Sequence, residues 1–231
     1  MKRWILCCGV DGSDQALDKL ARTIEQRKPD GVLFAGGIRP PGSRLAADEP
    51  QTQFKRLFDT LGQSGVFAAV IPGPHDTPLR DFLRAAMSAE VDHPGIHVVH
   101  GTLIEKPPVA VCGAGGELTE HDDRADEQLR CSRASAEYML RTLWRTDQPR
   151  KILLLAVPPS EPLGGSAFNT IAGEIIDSCH PDLCVVAGPT NRRGTERIAH
   201  TLVVNPGRLS DGSAAWLDWR NDEQPVTLID L

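Results

Sequence analysis

The sequence has few aromatic residues and no long apolar run. Phe, Trp and Tyr make up 5 % of its 231 residues. No segment approaches the roughly 18 consecutive apolar residues that a membrane-spanning helix needs. The apolar stretch Trp4–Cys8 is too short for the apolar region of a signal peptide, and Asp11 follows it closely. The sequence therefore predicts a buried first strand and no membrane partner.

Metal-binding cysteine patterns are also missing. The six cysteines form no Cys-x-x-Cys pair and no Cys/His cluster with the spacing of a zinc site. Most of them stand in or beside apolar runs. This placement predicts buried, reduced thiols in a cytoplasmic protein.

Basic charge is not in excess. The net charge of −6 and the isoelectric point of about 5.6 argue against a nucleic-acid partner or an anionic membrane, because both need a basic face. A content of 40 % apolar and 24 % charged residues is typical of globular proteins and supplies a sizeable core. No linker-like stretch divides the chain, so we predict a single domain over residues 1–231.

The first third of the chain alternates apolar runs with helical patterns. Strands are predicted at Trp4–Val10, Val32–Ala35 and Val66–Ile71. Helices are predicted after a cap at Ser13 or Asp14, at Gln51–Ser64 and at Thr77–Glu90. Such a pattern implies parallel strands with right-handed crossovers. Ligands bind beyond the carboxyl ends of such strands, so the loops at 8–14, 36–44 and 72–78 are expected on one rim.

The rest of the chain is less regular. Short strands at Ile96–Val99, Thr102–Glu105 and Val109–Cys112 favour antiparallel pairing, and the polar segment Gly113–Arg130 predicts a mobile loop. That segment carries a set of residues that we interpret as a solvated acidic surface: Glu117, Glu120, His121, Asp122, Asp123 and Asp126. Further helices are predicted at Ser132–Arg145 and Ala167–Cys179. Further strands are predicted at Lys151–Val157, Asp182–Ala187, Ile198–Val204, Ala214–Asp218 and Val226–Ile229.

Six short phrases stand at predicted strand ends. In chain order they are Cys8-Gly9-Val10-Asp11-Gly12, Ala35-Gly36-Gly37, Gly73-Pro74-His75-Asp76, Ala156-Val157-Pro158-Pro159, Gly188-Pro189-Thr190-Asn191 and Asn205-Pro206-Gly207-Arg208. Their order resembles the calcineurin-like metallophosphoesterase superfamily. The family phrases are Asp-x-His-Gly, Gly-Asp, Gly-Asn-His-Asp, a His before Pro-Pro, Gly-His-Thr-His and Asn-Pro-Gly-Ser. The resemblance covers nearly the whole chain. It implies an α/β fold, a four-layer αββα sandwich of two mixed β-sheets flanked by helices.

The resemblance also implies two metal ions, but the family ligands are replaced. Side chains that cannot bind a metal stand at five of the ligand positions: Gly9, Gly37, Pro74, Ala156 and Pro189. Asp11 and Asn191 stand at two positions where the family has His, and each offers an oxygen. We therefore expect no metal pair and no cofactor. An active enzyme would need a divalent ion such as Mn, Fe or Zn.

Two sets of residues are candidates for the site. His75 matches the family residue that assists the leaving group, so His75 and Asp76 are the candidate catalytic pair. The alternative is that this pair is a remnant of the fold at a tight turn. A cationic rim for phosphate is expected from loop arginines at the same edge, with solvated loop charge as the alternative: Arg39, Arg192 and Arg193, with Arg208 as a further member. Asp11 and Asn191 are the other candidate ligand-binding residues.

Three functional hypotheses follow. The leading one is a non-catalytic member of the family, a pseudoenzyme with a binding or scaffold role for a phosphorylated small molecule or a protein partner. Another is a structural role through self-association as a homo-oligomer. The alternative is a phosphoric ester hydrolase, either phosphatase or phosphodiesterase. Its rebuilt site would use Asp11, His75, Asp76 and Asn191.

Overall fold

A computed structural model describes residues 1–42, 49–121, 128–165, 170–221 and 223–231. Its strands in chain order are β1 Arg3–Cys7, β2 Gly31–Phe34, β3 Phe67–Val70, β4 Ile96–Val98, β5 Ile104–Lys106, β6 Val109–Ala114, β7 Glu117–Thr119, β8 Arg130–Ser132, β9 Arg150–Leu155, β10 Leu183–Val186, β11 Gly194–Ile198, β12 Thr201–Asn205, β13 Ser213–Asp218 and β14 Val226–Asp230. Its α-helices are α1 Asp14–Arg27, α2 Glu49–Gln63, α3 Leu79–Asp92, α4 Arg133–Arg145 and α5 Ile171–Cys179. Asp122, Asp123, Asp126 and the predicted helix start at Ala167 lie outside the described residues.

The first sheet has the strand order β14-β13-β1-β2-β3-β4. Strands β1 to β4 run parallel, β13 pairs antiparallel with β1, and β14 pairs antiparallel with β13 at the edge of the sheet. Cys7 pairs with Phe34, and Phe34 pairs with Val70. The carboxyl ends of β1, β2 and β3 therefore lie side by side, as the β-α-β-α-β pattern predicted.

The second sheet has the strand order β11-β12-β10-β9-β6-β5. Strands β6, β9, β10 and β12 run parallel, whereas β5 and β11 are antiparallel edges. Leu155 is in register with Ala114 on one side and with Val186 on the other. This sheet therefore also presents its carboxyl strand ends along one rim.

Three apolar cores separate four layers. The central core joins the two sheets and includes Leu6, Leu33, Leu154 and Val185. An outer core packs the first sheet against α1, α2 and α3, and a second outer core packs the other sheet against α4 and α5. The predicted αββα sandwich is confirmed. None of the described helices combines the length and apolar character that crossing a bilayer requires.

Helix ends follow local sequence. The Ser13 hydroxyl accepts a hydrogen bond from the Ala16 amide at 3.2 Å and caps α1, and Ser132 caps α4 in the same way. Helix α3 begins at Leu79 rather than at Thr77, because Pro78 takes the extended conformation of the cap.

Two expectations for the middle of the chain are corrected. Strand β4 pairs parallel with β3 in the first sheet, and only β5 and β6 pair antiparallel. Strand β4 is short, and the residues of one strand do not specify which strand lies beside it. Its parallel pairing with β3 was therefore not predictable from the sequence. The segment Gly113–Arg130 is not a continuous loop either, since β7 and β8 pair there and Leu118 is 3 % exposed.

Candidate functional site

A cavity of about 200 Å³ opens where the carboxyl ends of both sheets meet. Its lining comes from the loops after β1, β2, β3, β9, β10 and β12, together with β7. All five positions at which family ligands are replaced by non-ligating residues line it: Gly9, Gly37, Pro74, Ala156 and Pro189. Asp11, Arg39, His75 and Arg208 line it as well. The phrases singled out in the sequence thus converge on one place.

Glycines line part of this cavity. Gly9 and Gly37 have φ of +66° and +81°, in the left-handed region that favours glycine. A Cβ atom on Gly9 would lie 2.8 Å from Cγ of Arg208, and one on Gly37 would lie 3.0 Å from Cα of Gly9. The aliphatic part of Arg208 therefore occupies the space that a side chain at residue 9 would need.

Arg208 forms an ion pair inside the site. Its Nη2 and Nε lie 2.6 Å and 2.9 Å from one carboxylate oxygen of Asp11, and Nη1 donates to the Pro189 carbonyl at 3.3 Å. The Ser210 hydroxyl donates to the same Asp11 oxygen at 2.7 Å. Burial alone lowers the pKa of the Arg208 guanidinium, but the hydrogen bond and charge of Asp11 raise this pKa above its usual value. Arg208 is thus a fixed positive charge in the cavity wall.

Backbone contacts between the two rims place Arg208 there. Cys8 and Arg208 form a parallel bridge, and the amide of Leu209 donates to the Cys8 carbonyl at 2.8 Å. The thiol of Cys8 donates to the Gly207 carbonyl at 3.2 Å, and burial raises the pKa of Cys8 to about 12. Cys8 is therefore a neutral, structural thiol despite its position in the cavity lining.

Asp76 is buried beneath the loop that follows β2. It is 0 % exposed, and its carboxylate accepts hydrogen bonds from the amides of Gly37, Ile38, Arg39 and Gly73 at 2.6 to 3.1 Å. Burial raises the pKa of Asp76, and the four amide donors act in the opposite direction. This carboxylate holds two loops together and is not part of the described cavity lining.

His75 and Arg39 both line the cavity. His75 is half-buried, and its imidazole makes no hydrogen bond with any residue that the structure describes. Arg39 is 6 % exposed and donates to the carbonyl of Thr77. His75 is therefore the candidate catalytic residue that faces the cavity, whereas its neighbour Asp76 does not.

The remaining predicted ligand-binding residues lie outside the described lining. Asn191 is exposed, and its side-chain oxygen accepts a hydrogen bond from the Arg208 amide at 2.9 Å. Arg193 pairs with Asp230 on β14, and Arg192 is exposed to solvent. The sequence predicted these residues to lie together because their loops share one edge. The structure brings together Asp11, Arg39 and Arg208 instead.

Two polar residues of the cavity were not selected from the sequence as site residues. Glu117 lines it and pairs with Arg130 at 3.4 Å, and Gln128 lies beside it. Both come from the segment predicted as a solvated loop. Glu117 faces the site because β7 and β8 of this segment pair in parallel, and no local sequence pattern indicates that pairing.

The residues present do not fit a pair of metal ions. Gly9 and Gly37 supply no carboxylate, and the space beside Gly9 is filled by Arg208. The carboxylate of Asp11 is already neutralised by a guanidinium, which competes with any cation. Among the described residues, no group of three or more His, Cys, Asp or Glu side chains is placed to hold an ion.

Comparison with solved structures shows the same architecture. The crystal structure of TT1561 of Thermus thermophilus has a TM-score of 0.84 and 26 % sequence identity, covering 99 % of this chain and 98 % of that one. A novel archaeal phosphodiesterase has a TM-score of 0.51 and 10 % identity, with 99 % of each chain covered. A 5′-nucleotidase from Candida albicans SC5314 has a TM-score of 0.55 and 12 % identity, covering 99 % of this chain and 51 % of that one. The last two show the fold alone.

No curated protein matches the chain significantly. A family model does match it, described as metallophosphoesterase of the calcineurin superfamily and extending over residues 1–227. The fold, the convergence of the phrases and this match agree. The chain belongs to the calcineurin-like metallophosphoesterase superfamily.

Proposed function

We propose that this protein binds a phosphorylated small molecule in the cavity without a metal ion and does not hydrolyse it. The observation that carries the proposal is the exchange at residues 9 and 208. Where the family phrases have an acidic residue and a serine, this chain has glycine and arginine, and the arginine fills the space left by the glycine. The exchange replaces a carboxylate that binds cations by a guanidinium that binds anions.

Arg208 keeps capacity for an anion after its internal contacts. A guanidinium has five N–H donors. Nε and Nη2 face Asp11 and Nη1 faces Pro189, which leaves two donors. His75 adds a ring nitrogen in the same cavity. The Gly37 amide does not contribute, because it already donates to Asp76.

The size of the cavity limits the ligand. Its volume of about 200 Å³ is below the roughly 300 to 1,000 Å³ of pockets that hold drug-sized molecules. Alanine, valine and proline residues make much of the wall: Pro74, Ala156, Val157, Ala187 and Pro189. These features favour a phosphate attached to a small organic group. The burial of all six cysteines as thiols supports the cytoplasm as the compartment we propose.

Calorimetric titration in EDTA tests the proposal, with inorganic phosphate and phenyl phosphate as probes. We expect phenyl phosphate to bind, and Arg208→Gln to weaken this binding at least tenfold. The control is Arg192→Gln, which removes an exposed arginine outside the cavity lining and should leave the affinity unchanged. Absence of binding in EDTA, or equal binding by the Arg208→Gln variant, would overturn the proposal.

The alternative of a rebuilt phosphoesterase site is favoured by one observation, the imidazole of His75, which lies in the cavity without a hydrogen bond to any described residue. Its other residues are engaged elsewhere: Asp11 with Arg208, Asp76 with four amides, and Asn191 with the Arg208 backbone. The same esters distinguish the hypotheses. Hydrolysis that requires Mn²⁺ and disappears in His75→Ala would favour the enzyme over the binding protein.

A further inference from the structure

We propose that the chain forms a twofold dimer through the outer face of α3, which packs antiparallel against α3 of a second copy. Leu83, Met87 and Val91 are 37 %, 67 % and 83 % exposed. Residues four apart lie on one face of a helix, so these side chains form a continuous apolar stripe. A helix at the surface of a globular protein normally turns such a stripe toward the core.

Helix α3 already has a core-facing side. Phe82, Ala86 and Ala89 are buried against the first sheet and α2. The other exposed large apolar side chains among the described residues are dispersed on α4 and β14: Tyr138, Trp144 and Leu228. The stripe on α3 is therefore a second apolar face, and apolar faces of this kind mark interaction surfaces.

A groove beside the stripe provides space for an incoming side chain. It has a volume of about 390 Å³, and its walls include Leu83 and Met87 on α3 and Ile104 on β5. In a twofold arrangement centred on Met87, each copy offers its own groove to the methionine of the other. Methionine is flexible enough to fill an irregular gap of this kind.

The adjoining sheet edge favours a helix over an extended segment as the occupant. Strand β4 is the last strand of the first sheet. The carboxylate of Glu90 accepts a hydrogen bond from the Val98 amide at 2.7 Å. That contact occupies an amide which an added strand would need as a hydrogen-bond donor, and edge strands are commonly protected from pairing in such ways. A partner can still associate through the side chains of α3.

Charge favours a second copy in the antiparallel orientation. The exposed charges on the first half of α3 are basic, at Arg80 and Arg84, and those on the second half are acidic, at Glu90 and Asp92. No basic residue lies in its last turn. An antiparallel copy brings basic residues near acidic ones and near the negative end of the helix dipole, whereas a parallel copy brings like charges together.

The size of the surface predicts the strength of the dimer. A helix of 14 residues is about 21 Å long, so α3 alone covers less than the roughly 800 Å² per partner that stable complexes bury. The groove adds to this area without making it large. We expect a dimer that dissociates on dilution through the micromolar range.

Sedimentation equilibrium across about 1 to 200 µM, a range chosen around micromolar dissociation constants, tests the proposal on the full chain. We expect dimer to appear with concentration and Met87→Glu to leave monomer throughout. Because Met87 is exposed, the variant should keep the circular dichroism spectrum of the parent. Tyr138→Glu, at a similarly exposed aromatic residue on α4, should still dimerise. Monomer at every concentration, or a dimer that Met87→Glu does not disrupt, would overturn the proposal.

Cysteine cross-linking tests the antiparallel register. The six native cysteines are buried, so an introduced thiol is distinguishable. Two copies of residue 87 face each other at the twofold axis, within disulfide reach. Two copies of residue 91 would lie about 12 Å apart along the helix axis, which is too far for a disulfide. We expect Met87→Cys to form disulfide-linked dimers and Val91→Cys not to; the reverse pattern, or equal cross-linking, would contradict the antiparallel register.

Discussion

Residues 9 and 208 depend on each other. Gly9 has no side chain, and Arg208 packs its aliphatic part where a Cβ atom would be. The guanidinium then reaches Asp11, which has a positive φ of 51° in the same turn. Gly9 and Asp11 thus form one arrangement with Arg208, which is distant in sequence, and a change at one of these residues alters the cost of a change at another.

Replacing Gly9 by alanine tests this dependence. We expect Gly9→Ala to lower the free energy of unfolding by about 2 to 3 kcal/mol, because left-handed φ and the contact with Arg208 both disfavour a Cβ. In an Arg208→Ala background the cost should fall to about 1 kcal/mol, the part due to φ alone. Gly65→Ala is a matched control, since Gly65 has φ of +67° and open space around it. Urea denaturation measures the change in free energy of unfolding for Gly9→Ala, Arg208→Ala, the double variant and Gly65→Ala. Strict additivity of the two single changes in the double variant would contradict the coupling.

Asp76 contributes to stability through the amides that it binds. In Asp76→Asn, one oxygen that accepts two N–H bonds becomes an NH₂ group facing those donors. We expect a loss of about 3 kcal/mol in the free energy of unfolding. The control is Asp59→Asn on α2, where an exposed pair with Lys55 should contribute less than about 1 kcal/mol. Similar denaturation midpoints for both variants would contradict this role.

At the scale of elements, the parallel strands determine where polar residues meet. The apolar runs and the helical spacing of the sequence predicted most strands and helices of both sheets, because burial leaves a periodic pattern. The pairing of β4 with β3, and of β7 with β8, was not predictable in this way. Three-residue strands carry too little pattern, and their partners are specified by the packing of distant elements.

The connection from β4 to β5 carries a histidine that makes stability depend on pH. Nδ1 of His100 accepts a hydrogen bond from the Gly115 amide at 2.9 Å, and burial lowers the pKa of His100. The folded state therefore prefers the neutral imidazole, and its contribution is lost as pH falls below the unfolded value of about 6.5.

Thermal denaturation between pH 7.5 and 5.5 should show this loss as a falling melting temperature, since that range brackets the unfolded pKa of about 6.5. We expect His100→Gln to flatten the dependence, whereas the exposed His121→Gln should leave it unchanged. His97, whose pKa burial also lowers, should retain part of the dependence. An identical slope in His100→Gln and the parent protein would be evidence against this assignment.

At the scale of the whole molecule, burial protects the thiols. All six cysteines are buried thiols, and burial raises the pKa of Cys112 to about 11 and that of Cys8 to about 12. Only thiolates react readily with disulfide reagents. We expect less than one thiol per chain to react with Ellman's reagent at pH 8, against six in guanidinium chloride. Rapid reaction of a native thiol would contradict the fold around it.

The candidate site was predictable in its position but not in its contacts. The strand-end phrases indicated which loops meet, because parallel strands bring their carboxyl ends together. They did not indicate that Arg208 pairs with Asp11, that Arg193 turns to Asp230, or that Glu117 enters the cavity. Each of these contacts depends on residues brought together only by the complete sandwich, and side-chain type alone does not choose among the available partners.

The pair Asp11 and Arg208 spans 197 positions of the chain. A ribosome must therefore synthesise the chain at least as far as Arg208 before the cavity can form, and a chain that ends before β12 lacks one of its walls. Any ligand held there would bind folded chains and not shorter nascent ones. Its dissociation would have to precede separation of the two sheets, so occupancy would slow proteolysis of segments that never touch the ligand.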